Sequence, residues 1–125
     1  MSDGSRDAFK IPACPPFKKT EQGTKFDNGK PMLDLVPPSL EEAVGEILTL
    51  GALKYDRNNW KKGIEYSRVI SALKRHLNEF YKGNLIDNES GKPHLWHAAC
   101  NLAFLIEFEN KPEQYSIFND IHHDK

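Results

Sequence analysis

The sequence predicts an all-α fold: a small helical bundle of three main helices, preceded by an irregular N-terminal arm and completed by oligomerisation. Three observations carry this prediction. Apolar residues recur at helical spacing in three separate stretches. Each stretch is bounded by capping or helix-breaking residues. No run reads as a strong strand with two-residue alternation. The chain has 125 residues, enough for one core, but only 38% are hydrophobic and 28% are charged. The core must therefore come from a few well-patterned segments.

Residues 1–29 hold Pro12, Pro15, Pro16, Gly4, Gly23 and Gly29 among many charges, the composition of an irregular arm. Residues 30–110 form the expected helical domain. After the entry segment GKPMLDLVPP, Pro37 and Pro38 stop any earlier structure, and Ser39 is the expected N-cap of a first helix running to about Tyr55. Leu40, Val44, Ile47, Leu48, Gly51 and Tyr55 share one of its faces. DRNNWKKG, 56–63, is a turn-rich loop. Ser67 is the expected cap of a second helix, Ser67 to Lys82, with the stripe Val69, Ile70, Leu73, Leu77 and Phe80. Gly83 ends it in the usual position after a helix, and a polar loop follows to Pro93. The third helix, His94 to Glu109, is apolar nearly all round, which predicts a central, buried element. Residues 111–125 read as a polar tail with a short helical turn near Gln114 to Asn119.

Several function classes are disfavoured at once. Lys+Arg 17 against Asp+Glu 18 gives a net charge of −1, without the basic excess that a nucleic-acid polymer requires. No segment approaches the roughly 20 apolar residues of a membrane span. Cys14 and Cys100 form neither a disulfide framework nor a CxxC metal pair, so a reducing, cytoplasmic setting is the simplest expectation. GKPMLDLVPP is not a phosphate loop of the Walker type, and no GxSxG or dinucleotide fingerprint occurs.

Four clusters could carry chemistry. His94, His97 and Asn101 are spaced i, i+3, i+7 on the third helix, nearly the only polar groups in its first two turns. Buried polar groups need partners, so this strip either closes an internal hydrogen-bond network or binds a metal or ligand. His76 and Glu79, at i and i+3 on the second helix, match a known way of holding divalent metals inside a bundle; Glu79 could equally pair with Arg75 or Lys82. Glu41, Glu42 and Glu46 could hold Mg2+, which prefers oxygen ligands, or form a solvated acidic face. Lys54, Arg57, Lys61, Lys62, Arg68, Lys74 and Arg75 make a cationic zone of the kind that binds phosphates. Beside it, Tyr55, Trp60 and Tyr66 could stack on a base, or Trp60 could merely anchor its loop. The His122–His123–Asp124 run lacks a helical core around it and is weighted less.

Taken together, KPMLDLVPPSLEEAVGEILTLGALKYDRNNWKKG and YSRVISALKRHLNEFYKGNLIDNESGKPHLWHAACNLAFLIEF resemble the phage dATP/dGTP diphosphohydrolase N-terminal domain family. The resemblance runs from about Lys30 to Phe108. Its marks are Lys30, Asp34 and Pro37; Gly51-Ala52 with Lys54-Tyr55; Asn59-Trp60; Ser67-Arg68; Arg75-His76; Asp87 with Ser90-Gly91; and His94, His97 and Asn101. It implies hydrolysis of dGTP or dATP to the monophosphate and pyrophosphate, in phage nucleotide metabolism. It also implies kinship with the MazG-like all-α pyrophosphohydrolases, which assemble as dimers or tetramers and use clustered carboxylates, EExxE on one helix and ExxD on another. This sequence departs from that pattern: Glu41, Glu42 and Glu46 read EExxxE, and the third helix carries no ExxD.

On this combined reading, Mg2+ or Mn2+ is the expected cofactor, with Glu42, Glu46, His76, Glu79 and Asp87 as candidate metal ligands. His94 or His97 is the candidate base or phosphate contact, with Glu79 beside them in the catalytic set. Lys30, Lys54, Arg57, Arg68 and Arg75 are the candidate phosphate neutralisers. Asn59 and Trp60 would meet the base or sugar, and Asp34, Tyr55 and Asn101 complete the substrate set. The expected partners are a small-molecule nucleotide and further copies of the chain. The alternative is a protein that binds a nucleotide without cleaving it.

Overall fold

The computed structural model describes residues 23–122. The chain divides into two compact units, Met1–Val36 and Pro37–Lys125. In the first unit the Lys30 N–H closes a turn on the Asp27 carbonyl at 3.0 Å. A short 3-10 turn follows at Leu33–Leu35 and carries Asp34. Lys30 and Asp34 are both exposed.

The second unit contains α1 (Pro38–Lys54), α2 (Tyr66–Tyr81), α3 (His94–Asn110) and the single turn α4 (Pro112–Tyr115), with 3-10 turns at Asn59–Lys62 and Ser116–Phe118. The expected all-α class holds, and the described residues form only one isolated β-bridge, Ile86 with Pro93. Helix α3 is the central element, with α1 and α2 both packed against it. Its expected burial holds for Ala98, Cys100 and Phe108. It does not hold for Leu95, Leu102 and Ile106, which are 42%, 48% and 51% exposed. Among the described residues, α1 and α2 flank α3 and leave these three side chains exposed.

Two expected caps are corrected. Helix α1 begins at Pro38 with Pro37 as N-cap, so Ser39 already lies inside the first turn. Proline suits the first helical position because its missing N–H would be unsatisfied there anyway. Helix α2 begins one residue before Ser67, with Glu65 as N-cap and no side-chain cap of its own. The role falls to Asp120 from the far end of the chain. Its Oδ1 accepts the Ser67 N–H at 2.9 Å, and its Oδ2 accepts the Ser67 hydroxyl at 2.6 Å. A carboxylate at this place satisfies free helix donors and complements the helix dipole.

The core explains why 56–63 and 112–118 hold shape. Val69, Phe108 and Tyr115 are buried, and Trp60, Ile64, Tyr66, Phe104, Leu105 and Phe118 pack around them. Trp60 stacks on Phe104 with ring centroids 4.7 Å apart, and Tyr115 lies 4.5 Å from Phe108. The Tyr115 hydroxyl donates to the Lys61 carbonyl at 2.7 Å, so its polar end is satisfied inside the core. The short helical turn expected near Gln114 to Asn119 is thus a core-forming piece.

Candidate functional site

The site lies where α2, α3 and the loop between them meet. Gly83 (φ +97°) ends α2 in a conformation that favours glycine. The loop is then pinned at both ends. The Asp87 N–H donates to the Lys92 carbonyl at 2.8 Å, and the His94 N–H donates to the Leu85 carbonyl at 2.8 Å. These bonds deliver His94, the first residue of α3, and Asp87 onto the face of α2 that carries His76.

Three imidazoles meet there. His76 Nδ1 and His94 Nδ1 are 2.8 Å apart, a hydrogen bond between the two rings. The His97 ring stacks on that of His76 at 4.5 Å with an 11° interplanar angle. His97 Nε2 lies 2.7 Å from the Ser90 hydroxyl oxygen and 3.5 Å from Asp87 Oδ2. The Ser90 N–H donates to Asp87 Oδ2 at 3.2 Å, and the Lys92 N–H donates to the Ser90 oxygen at 3.1 Å. Burial of Asp87 favours its neutral acid. The hydrogen bonds from Ser90, helped by His97, more than offset this and hold the carboxyl below its ordinary range. Burial lowers the affinity of His76 for a proton, reinforced by His97, His94 and Arg75 against the opposing pull of Asp87. His97 is lowered in the same sense, chiefly by burial and despite Asp87.

A cleft of about 860 Å3 opens on this cluster, lined among others by Arg75, His76, Glu79, Asp87, Glu89 and His94. That volume lies within the range of small-molecule sites. A second cleft of about 420 Å3 holds Arg68, Ser71 and Asn101, and Arg75 lines both. The candidates His76, Glu79, Asp87 and His94 therefore share one cleft, while Arg68, Arg75 and Asn101 share the other. His97 lines neither of these clefts and stacks against His76. The Asn101 amide also donates to the His97 carbonyl at 2.8 Å, one helical turn back.

The other candidates lie elsewhere, and within the cleft Glu79 has partners of its own. Glu42 is exposed on α1. Glu46 forms an ion pair with Lys92 at 3.1 Å. Glu79 lies 2.9 Å from Lys82 and accepts the Asn84 amide at 2.8 Å, and these contacts hold it below its ordinary range. Lys54 is exposed over the Tyr55 ring at 5.3 Å. Arg57 is exposed, and Asn59 closes a turn on the Asp56 carbonyl at 3.1 Å. Trp60 stacks on Phe104. His122 contacts Asn119, while the other two members of the His122–His123–Asp124 run lie outside the described residues. Cys100 is buried and its thiol is pushed up to about 12, which leaves it inert.

Among the described residues, no three His, Cys, Asp or Glu side chains converge as a ready-made metal cage. The donor set instead suits a looser arrangement, in which Mg2+ is held by one or two carboxylates together with substrate phosphates and water. Ser90, a mark of the family resemblance but not among the candidate site residues, is brought against His97 and Asp87. The signal was the Asp-x-x-Ser spacing of 87–90, a pattern in which a carboxylate accepts the N–H of a residue shortly after it.

Comparison with known proteins gives two findings. The family model for the N-terminal part of dATP/dGTP diphosphohydrolase matches residues 20–117. A dATP/dGTP diphosphohydrolase of Salmonella phage PMBT28 is 43% identical over 84 residues, covering 67% of this chain and 29% of the relative. The chain thus spans less than a third of the length of that protein. No solved structure matches the chain.

Proposed function

The chain belongs to the dATP/dGTP diphosphohydrolase N-terminal family, and from that premise we propose that it hydrolyses a purine deoxynucleoside triphosphate, dGTP or dATP, to the monophosphate and pyrophosphate. The observation that carries this reading is a single cleft of nucleotide size lined by two hydrogen-bonded imidazoles, three carboxylates and an arginine. The phosphates lie along Arg75 and Arg68, the cations of the two adjoining clefts. The oxygen of a water molecule bonds to the α-phosphorus. The bond from that phosphorus to the bridging oxygen breaks, and its electron pair leaves with pyrophosphate. A cleft-facing imidazole takes the proton of the water. Stacked on His76 and tied to Ser90, His97 fixes the orientation of the imidazole pair.

Mg2+ or Mn2+ would be held by Glu79 and the substrate phosphates. It would supply charge neutralisation at the phosphates. The test is a panel of dNTPs and NTPs with either metal, with products separated by chromatography. Release of pyrophosphate from dGTP or dATP, abolished by EDTA, is the expected result.

A second reading is favoured by the departure from the carboxylate pattern, with EExxxE at Glu41, Glu42 and Glu46 and no ExxD on α3. In it the chain binds the nucleotide and does not cleave it. Tight binding that persists in EDTA with no turnover would establish that reading. The exposed stripe Leu95, Leu102 and Ile106 supports a homo-oligomer in which a second copy covers α3. No helix among the described residues is long and apolar enough to cross a membrane. Action in the cytoplasm of an infected cell belongs to the same proposal, through the phage relative.

A further inference from the structure

The 2.8 Å separation between His76 Nδ1 and His94 Nδ1 has a chemical consequence. A neutral imidazole carries one N–H and one bare nitrogen. A hydrogen bond between two Nδ1 atoms needs a proton on one and a lone pair on the other. The ring that donates through Nδ1 must therefore have a bare Nε2. The ring that accepts at Nδ1 must carry its own proton on Nε2. We propose that His76 and His94 form an acid–base dyad, locked in opposite tautomers, that presents one bare Nε2 and one Nε2–H at the shared cleft. One ring can then take the proton of the attacking water while the other donates a hydrogen bond to a phosphate oxygen or the leaving group. This deepens the hydrolase reading and rests on it for its catalytic meaning, whereas the tautomer lock rests on the geometry alone.

The hydrogen bond between the two Nδ1 atoms constrains how many protons the pair can hold. If one proton is added, the cationic ring donates from both nitrogens while its partner still accepts at Nδ1. Both Nε2 atoms then carry protons and the base is lost. Two cationic rings would set N–H against N–H and break the pair. Arg75 and Glu79 act on the dyad from α2, Asp87 from the loop, and His97 from α3. Burial together with His97, His94 and Arg75 outweighs Asp87 at His76 and favours the neutral form of that ring.

The test uses the full 125-residue chain without ligand. Two-bond 15N–1H correlation spectra, recorded near pH 8, assign the proton of each ring. The expected result is one ring protonated at Nδ1 and the other at Nε2. Two rings in the same tautomer, or a cationic ring at that pH, would overturn the dyad. His76→Asn and His94→Asn each keep a polar group near the Nδ1 position while deleting Nε2. Each should lower kcat at least ~100-fold with little change in KM or Tm, the scale of acid–base catalysis. Retained kcat in both variants would overturn the catalytic role. If the wild-type chain shows no turnover, the hydrolase reading fails by itself, and the spectra still decide the tautomers.

Discussion

Gly63→Ala tests whether the loop before α2 and the C-terminal segment form one packed unit. Gly63 has φ +106° and ψ 141°, a backbone conformation that L side chains rarely adopt. Holding a non-glycine residue in such a region costs about 1–3 kcal/mol. An added Cβ would also meet the Phe118 ring, reaching 2.7 Å from Cδ2 when closer ring atoms are left aside. Phe118 is packed against the Val69–Phe108–Tyr115 core. Moving its ring is therefore an overpacking problem, costing about another 1–3 kcal/mol. The sum is about 2–6 kcal/mol. At roughly 4 °C per kcal/mol for a chain of this size, Tm should fall by roughly 8–24 °C. Gly45→Ala is the control, since Gly45 lies within α1 and an added Cβ meets nothing within 4 Å. That variant should match or exceed wild type, because alanine is the better helix former by about 1 kcal/mol. Thermal unfolding followed by circular dichroism measures both. Equal Tm values for Gly63→Ala and wild type would refute the account, and so would a matching fall in Gly45→Ala.

Three further outcomes are expected. Asp120→Ala removes the acceptor of the Ser67 N–H and hydroxyl and should cost about 0.5–2 kcal/mol, with faster hydrogen exchange at the Ser67 amide; unchanged exchange would count against the cap. Stability should be full above about pH 6.5 and decline as the pH falls through the depressed native values of His76 and His97, because the unfolded chain then binds more protons. A Tm that does not vary between about pH 8 and about pH 5 would contradict that sign. Leu102→Lys with Ile106→Lys should shift the chain to a lower oligomeric state in light scattering while leaving its helix content intact, since both side chains are about half exposed; an unchanged mass would remove α3 as the interface.

The helices were legible in the sequence because local periodicity encodes them. Val69, Leu73, Leu77 and Phe80 on α2, and Ala98, Leu105 and Phe108 on α3, repeat at the mixed three-, four- and seven-residue intervals that only a helix can place on one face. The strip His94, His97 and Asn101 was legible for the same reason, as was the need for partners. Their identities were not. His94 Nδ1 finds His76 at a separation of 18 residues, and His97 finds Ser90 across the loop. Trp60 is an aromatic in a basic loop, and spacing alone cannot say whether it stacks on a base or on Phe104, which lies 44 positions away.

The chain ends show the same division. A cap is usually sought within a few residues of the helix it serves, which made Ser67 the natural candidate. Asp120 takes that role from 53 positions away, and no local pattern announces it. Tyr115 resembles one aromatic in a polar tail until its hydroxyl meets the Lys61 carbonyl and its ring meets Phe108. By itself the sequence determined the helical class, the helix spans to within a residue or two, and the residue types available for chemistry, because these follow from neighbours along the chain. Only the tertiary structure decided which imidazoles share a proton, which carboxylates are engaged, and which apolar side of α3 stays uncovered. Those outcomes depend on distances between groups far apart in sequence, and packing rather than periodicity sets them.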